Sequence, residues 1–349
     1  MITLAALVAA LTLTPGQASL RPLDLPMPPL NPMTAEAPPQ LRAASWALYS
    51  VEREAEILAE NGDVRRPMAS VTKVMTAILV VRNAQPDERV TISANADRTP
   101  IGYTGQPEVK QGEVWTVEDL LANLMVQSGN DAAAALAEHV GGSVEGFVAM
   151  MNQEASRIGM ASTSFANPHG LDADQHYSTA RDLMRLGRAA VDYERVMRAA
   201  SIKSVTFSPG RRGDITVTNG NRLLGVYPGV LGIKTGDTAR ADRVLISYQQ
   251  RGARGTVGVV MGTQNHYAAT ARLLAYAATT LGPRDHLAAA VLGTPVESVL
   301  PPWLVPRLQA VRALPTGSES RSAPGSTVGT DRLVRSFRDL LPPLLGGDP

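Results

Sequence analysis

Strand patterns stand at the two ends of the folded stretch of this chain and helical patterns fill the middle, and this split restricts the fold more than any other feature. Ser45 to Val51 and Ala55 to Ala59 read as two strands, followed by the polar turn Glu60-Asn61-Gly62-Asp63. From Val117 to Ile158 the pattern is helical: Leu120, Leu121, Leu124 and Met125 share one apolar face, and an alanine-rich helix from Asn130 to Val140 closes at Gly141-Gly142. Ser143 caps a third helix ending at Gly159, and further helices run from about Thr179 to Ala190 and from Tyr193 to Ala200. Strand character returns at Val230 to Lys234, Arg243 to Gln250 and Thr256 to Gly262, the last two joined as a hairpin through Arg251-Gly252-Ala253-Arg254. A helix from about Asn265 to Leu281 closes the domain. Two strands first and three last predict an α/β (α+β) fold in which one antiparallel sheet is built from both ends and an all-α subdomain is inserted between them. No internal repeat is present.

Between the first strands and the helical middle lies Pro67-Met68-Ala69-Ser70-Val71-Thr72-Lys73-Val74-Met75-Thr76-Ala77. Val71, Val74, Met75, Ile78 and Leu79 recur at helical spacing, which puts Ser70 in the first turn and Lys73 on the same face. A serine hydroxyl attacks poorly until a neighbouring base takes its proton. Lysine serves as that base when burial or nearby positive charge lowers its pKa, and the apolar flank of this helix predicts burial. The helix N-terminus also offers backbone N–H groups to an oxyanion. Taken alone, the same residues describe an amphipathic helix with Ser70 as its N-cap.

Composition sharpens the choice. Only four lysines, Lys73, Lys110, Lys203 and Lys234, stand against 29 arginines, so a lysine marks a place where a compact amine able to lose its proton has been kept. The absence of cysteine excludes disulfides and thiolate chemistry, five scattered histidines show no paired helical spacing for zinc, and a net charge of +1 gives no electrostatic case for nucleic acid.

Two further motifs fall where chemistry can use them. Ser128-Gly129-Asn130 sits at a break between helices, so the Ser128 hydroxyl can pass a proton to a leaving amine and the Asn130 amide can hold a peptide backbone; in isolation it reads as a helix N-cap. Lys234-Thr235-Gly236 falls on a strand, where Lys234 and Thr235 can hold an anion while Gly236 admits close backbone approach. One SxxK, one SGN and one KTG, in that order on helix, loop and strand, carry far more weight together than any one of them.

This set resembles the penicillin-binding proteins and class A β-lactamases, and more closely the low-molecular-mass serine-type D-alanyl-D-alanine carboxypeptidases. The likeness runs from about Ser45 to Leu281 and includes Asn167-Pro168-His169-Gly170-Leu171 and Gly232 to Thr238. It implies a β-lactamase/transpeptidase-like fold, a five-stranded antiparallel sheet flanked by helices. It implies Ser70 as acylated nucleophile, Lys73 as general base, Ser128 as proton relay, Asn130 on the substrate amide, and Lys234 with Thr235 on the terminal carboxylate. Backbone N–H groups of Ser70 and Asp237 would form the oxyanion hole; no cofactor or metal is implied. The substrate would be the D-Ala-D-Ala end of a peptidoglycan stem peptide, with β-lactams as covalent inhibitors. Many relatives carry an aromatic residue or histidine where this chain has Asp237. Where some place a carboxylate-binding arginine, this chain reads Met261-Gly262-Thr263-Gln264, which leaves that role to Lys234 and Thr235 alone or to a substitute such as Arg243. His169, between Pro168 and Gly170, reads as a structural hydrogen-bonding residue of a tight loop. A β-lactamase is the first alternative, but Ala166 to Gly170 lacks the glutamate that would activate a deacylating water. A non-catalytic penicillin-binding sensor is the second.

The ends suggest export. Ile2 to Leu13 is an apolar run too short to span a bilayer, broken by Pro15-Gly16 and followed by small residues, which reads as a signal peptide over 1–18 although no basic residue precedes it. Residues 19–40 carry seven prolines and read as an extended linker to a catalytic domain over 41–282. Such a protein would work in the periplasm or on the outer face of the cytoplasmic membrane. Residues 283–349, rich in Pro, Gly and Ser, read as a tail in place of the family's β-sandwich domain. Within it, Asp331 to Leu341 aligns Leu333, Val334, Phe337, Leu340 and Leu341 beside Arg332, Arg335 and Arg338, a pattern suited to peripheral contact with an anionic membrane.

Overall fold

A computed structural model describes residues 38–100, 109–208 and 213–281. The expected signal peptide, most of the proline-rich linker and the tail with the helix expected at 331–341 lie outside the described residues.

The described chain opens with a hairpin of β1 (Ser45–Ser50) and β2 (Ala55–Glu60). A 3-10 turn, Ala69–Thr72, runs directly into α1 (Lys73–Asn83). The insert follows: β3 (Arg89–Thr91), α2 (Ala94–Asp97), β4 (Val114–Thr116), α3 (Val117–Ala122), α4 (Asn130–Gly141), α5 (Val144–Arg157), α6 (Ala180–Val191), α7 (Glu194–Ser201), β5 (Ser204–Phe207) and β6 (Ile215–Thr218). Strands β7 (Val230–Thr238), β8 (Asp242–Arg251) and β9 (Arg254–Thr263) and helix α8 (His266–Thr280) complete it.

The main sheet has the order β2-β1-β9-β8-β7, with every neighbouring pair antiparallel. The first hairpin therefore docks on β9, with Ala47 opposite Val259, and the two ends of the domain close one sheet as the split of strand patterns requires. Alternation along the strands divides the core. Trp46, Leu48 and Val260 pack with Leu273 and Ala277 of α8 on one face. Ala47, Ile246, Val257 and Val259 face the other way, into the core shared with the insert.

Helix α1 runs through that shared core. Lys73 to Val80 are all buried, because α4, α5, α6 and α7 surround the helix and β7 lies along it. The sequence predicts one apolar flank; from Lys73 to Val80 the helix is instead enclosed all round, and this is what isolates Lys73 from water. Side-chain caps sit where the pattern puts helix starts: Ser143, Thr179 and Asn265 each accept a hydrogen bond from a backbone N–H three residues on.

Two features were not legible. The insert is helical but also carries two small two-stranded antiparallel sheets, β3–β4 and β5–β6, whose three- and four-residue strands are too short to show a period. Strand β7 also runs four residues past Lys234, since its pairing with β8 continues through Asp237 opposite Arg243 and Thr238 opposite Asp242. Lys234-Thr235-Gly236 thus lies inside a strand.

Candidate active site

The turn that carries Ser70 is built around a strained residue. Ala69, buried immediately before Ser70, has φ of +50°, a left-handed conformation that costs a non-glycine residue about 1–3 kcal/mol and persists only when neighbours enforce it. Two glycines press on the Ala69–Ser70 peptide. A side chain at Gly236 would put Cβ 2.8 Å from the Ser70 nitrogen and 2.9 Å from Ala69 Cβ, and one at Gly170 would collide with the Ala69 carbonyl oxygen. Strand β7 and the loop containing Gly170 can approach this peptide only because both positions lack a Cβ.

Lys73 lies one turn on, fully buried, with Nζ 3.0 Å from Ser70 Oγ. Two other groups meet the same nitrogen: Asn130 Oδ1 at 2.7 Å and the His169 carbonyl at 2.5 Å. Both are fixed acceptors, so a neutral Lys73 spends its two N–H bonds on them and turns its lone pair toward Ser70 Oγ. The surroundings favour that neutral form. Burial and then the charge of Lys234 hold the Lys73 pKa well below the usual lysine value, against an opposing pull from Asp131. Asp131 itself is buried and accepts hydrogen bonds from the backbone N–H groups of Val109 and Ala132.

Asn130 arrives here through a deformed helix end. Residues Asn123–Gln127 form a π turn, Ser128 adopts a left-handed conformation with φ of +73°, and Gly129 starts α4. The Asn123 carbonyl accepts from the N–H groups of both Ser128 and Gly129, which folds the loop back on the turn. Asn130 Nδ2 donates to the Pro100 carbonyl, so its amide is held at both ends and its oxygen faces Lys73.

On β7, Lys234 is almost wholly buried and donates to the Thr235 carbonyl; desolvation brings its pKa down to about 7. The Thr235 hydroxyl lies beside Gly220, whose N–H donates to Val126 in the π turn, so the strand and the Ser128 loop meet through one glycine. Arg243 does not join Lys234 and Thr235: its guanidinium donates to the Asp237 carboxylate at 3.3 Å and to the Gln264 carbonyl at 2.6 Å.

Several contributors escape sequence reasoning. The segment from Ser164 to Tyr177, closed at its neck by a bridge between those two residues, lies across the turn and α1. The Pro168 carbonyl accepts from Thr76 Oγ1 at 2.6 Å, the His169 carbonyl from Lys73, and the Asp172 carboxylate from Thr238 Oγ1 and Arg240 N. Two of these four contacts use backbone carbonyls, which leave no mark on residue type. The His169 ring accepts from the Leu171 N–H, and burial above all keeps its pKa at about 3, so it is a neutral loop-forming group, as its sequence setting suggests.

Comparison with known proteins adds the following. A family model described as D-alanyl-D-alanine carboxypeptidase matches residues 31–265. D-alanyl-D-alanine carboxypeptidase DacC of Escherichia coli K12 is 35% identical over 247 residues, 66% of this chain and 59% of that protein. DacF of Bacillus subtilis is 33% identical over 208 residues, 58% of this chain and 53% of its own. The chain thus spans little more than half the length of these relatives. Among solved structures, the D-alanyl-D-alanine carboxypeptidase DacD from Francisella tularensis matches with a TM-score of 0.64 at 30% identity, covering 69% of this chain and 71% of the other. The Streptomyces K15 DD-transpeptidase matches with a TM-score of 0.64 at 27% identity, covering 69% and 98%.

Proposed function

The chain belongs to the D-alanyl-D-alanine carboxypeptidase family, and from that premise we propose that it hydrolyses the terminal D-Ala-D-Ala bond of peptidoglycan stem peptides through an acyl-enzyme on Ser70. The observation that carries this reading is the setting of Lys73: an enclosed amine of lowered pKa whose two fixed acceptors leave its lone pair for Ser70 Oγ, 3.0 Å away. A sensor that only bound its ligand would have no use for a prepared base.

Ser70 Oγ attacks the carbonyl carbon of the penultimate D-Ala while its proton passes to Lys73 Nζ. The N–H groups of Ser70 and Asp237 hold the oxyanion. The C–N bond then breaks, the departing D-Ala amine takes a proton through Ser128, and water cleaves the resulting ester. Lys234 and Thr235 hold the terminal carboxylate, and the Nδ2 end of Asn130 orients the substrate amide. Residues 41–282 form the catalytic unit, 1–18 direct export and 19–40 space the unit from the membrane, which places the work in the cell envelope. No helix among the described residues is long and apolar enough to cross a membrane. Contact with the membrane surface falls to the arginine-flanked apolar segment 331–341.

The test pairs a fluorescent penicillin with a D-Ala-D-Ala peptide. Release of D-Ala, with a long-lived penicilloyl adduct that mass spectrometry assigns to Ser70 and that Ser70→Ala abolishes, is the expected result. Rapid penicillin turnover would favour a β-lactamase, and an adduct on any other residue would remove the central assignment.

A further inference from the structure

We propose that His176 is a positioning residue for the oxyanion hole, acting through Thr72 on the peptide unit that joins Ala69 to Ser70. The inference rests on the peptidase reading above and extends it to a residue that touches no substrate.

The argument starts from the peptide plane. The Ala69 carbonyl and the Ser70 N–H belong to one planar trans unit and point in opposite directions, so whatever grips the carbonyl also aims the N–H. That carbonyl accepts a hydrogen bond from Thr72 Oγ1 at 2.8 Å. Thr72 Oγ1 in turn lies 2.9 Å from His176 Nε2. On the far side of the ring, His176 Nδ1 is 3.0 Å from the Ala166 nitrogen. A backbone N–H can only donate, so Nδ1 must accept and the ring proton must sit on Nε2.

Every direction in the relay is then fixed: Ala166 N–H to Nδ1, Nε2–H to Thr72 Oγ1, and Thr72 Oγ1–H to the Ala69 carbonyl. Thr72 is fully buried and His176 is 4% exposed, so the relay is enclosed within the protein. Its end point is the residue that needs restraint, since Ala69 holds a left-handed conformation beside the nucleophile. The imidazole is itself held. Phe165 meets it edge-on, and the chain on either side is pinned by the bridges between Ser164 and Tyr177 and between Arg66 and Ser178. Burial keeps the ring neutral, with a pKa of about 4, so the accepting Nδ1 persists at neutral pH.

The experiment measures acylation by a fluorescent penicillin, and kcat and KM on a D-Ala-D-Ala peptide, with the full chain. Thr72→Val and His176→Leu should each slow acylation by about tenfold to a hundredfold, in kcat and not KM, because they misdirect a donor without removing a substrate contact. His176→Gln keeps one acceptor and one donor, Thr72→Ser keeps the hydroxyl, and both should recover most of the rate. The double variant Thr72→Val/His176→Leu should be no slower than the slower single, since both break one relay. Wild-type rates in the valine and leucine variants, equal losses in the conservative pair, or losses that multiply in the double would each overturn the relay. A wild-type chain that forms no Ser70 adduct would remove the peptidase reading and this proposal with it. Independently of whether any variant folds, nitrogen-15 NMR of the wild-type histidines should show His176 neutral with its proton on Nε2. An Nδ1–H tautomer or an imidazolium at neutral pH would overturn the proposal.

Discussion

In the proposed mechanism two buried lysines set the acid–base behaviour of the site, and they need opposite states. Lys73 must lose its proton to act as base, while Lys234 must keep its own to attract a carboxylate. Burial and the Lys234 charge lower the Lys73 pKa, so kcat/KM should rise with pH well below the ordinary lysine range. Lys234, at about 7 through desolvation, is charged below that pH and loses its charge as pH rises through it, which gives a falling limb. For a peptide analogue whose terminal carboxylate is capped as an amide, that falling limb should vanish. A single rise continuing to about pH 10, near the value of an unperturbed lysine, would show that neither amine is tuned by its burial. Gly236 makes the second residue-scale case. Its replacement by alanine would push Cβ to 2.8 Å from the Ser70 nitrogen, so strand and nucleophile turn must part. Gly236→Ala should cut acylation at least about a hundredfold, the scale of losing an oxyanion donor, and lower stability by about 1–3 kcal/mol, the scale of overpacking. Rates near wild type would mean that the strand yields without disturbing Ser70.

At the scale of elements, the site depends on how firmly α1 is held by its neighbours. Apart from apolar packing, α5 is tied to it through Glu154, whose nearly buried carboxylate receives Arg82 of α1 at 2.6 Å and Arg157 of its own helix. The hydrogen bond from Arg157, and then that from Arg82, hold the Glu154 pKa below the usual carboxylate value. A depressed carboxylate contributes stability that is present above its unfolded pKa and lost as pH falls through its folded one. Urea unfolding of Glu154→Gln should therefore show a loss of about 1–3 kcal/mol at neutral pH that shrinks toward pH 3. An equal loss at both pH values would show that the charge is immaterial to the tie. The loop between Ser164 and Tyr177 works by other means. It supplies carbonyls to Lys73 and Thr76 and a carboxylate to Thr238, so one element links the base to the end of β7.

For the whole molecule, the proposed activity requires that the catalytic unit stay near a polymeric substrate. Segment 331–341 combines an apolar side with three arginines, and at eleven residues such a helix needs a partner to be stable in water. Membrane attachment through it predicts that the mature protein co-sediments with anionic vesicles, less so as salt rises, while a version ending at Thr330 stays in the supernatant. Equal behaviour of the two versions would remove the anchor.

What the sequence determined by itself was whatever local pattern encodes. Strand and helix periods, separated by turn residues, gave the antiparallel sheet built from both ends and most element boundaries, because hydrophobic alternation must match burial on one face or two. The order of Ser70, Lys73, Ser128, Asn130, Lys234 and Thr235 on helix, loop and strand gave the candidate site. Strand pairs of three or four residues stayed invisible, since so short a strand has no measurable period. Only the tertiary structure decided that α1 is enclosed from Lys73 to Val80, and with that the lowered pKa of Lys73, because desolvation depends on what packs around a residue and not on its neighbours in the chain. The same holds for the His169 carbonyl on Lys73 and for the His176–Thr72 relay, 104 residues apart in sequence. Backbone groups carry no residue signature, and a hydrogen bond between distant segments exists only once the fold has brought them together.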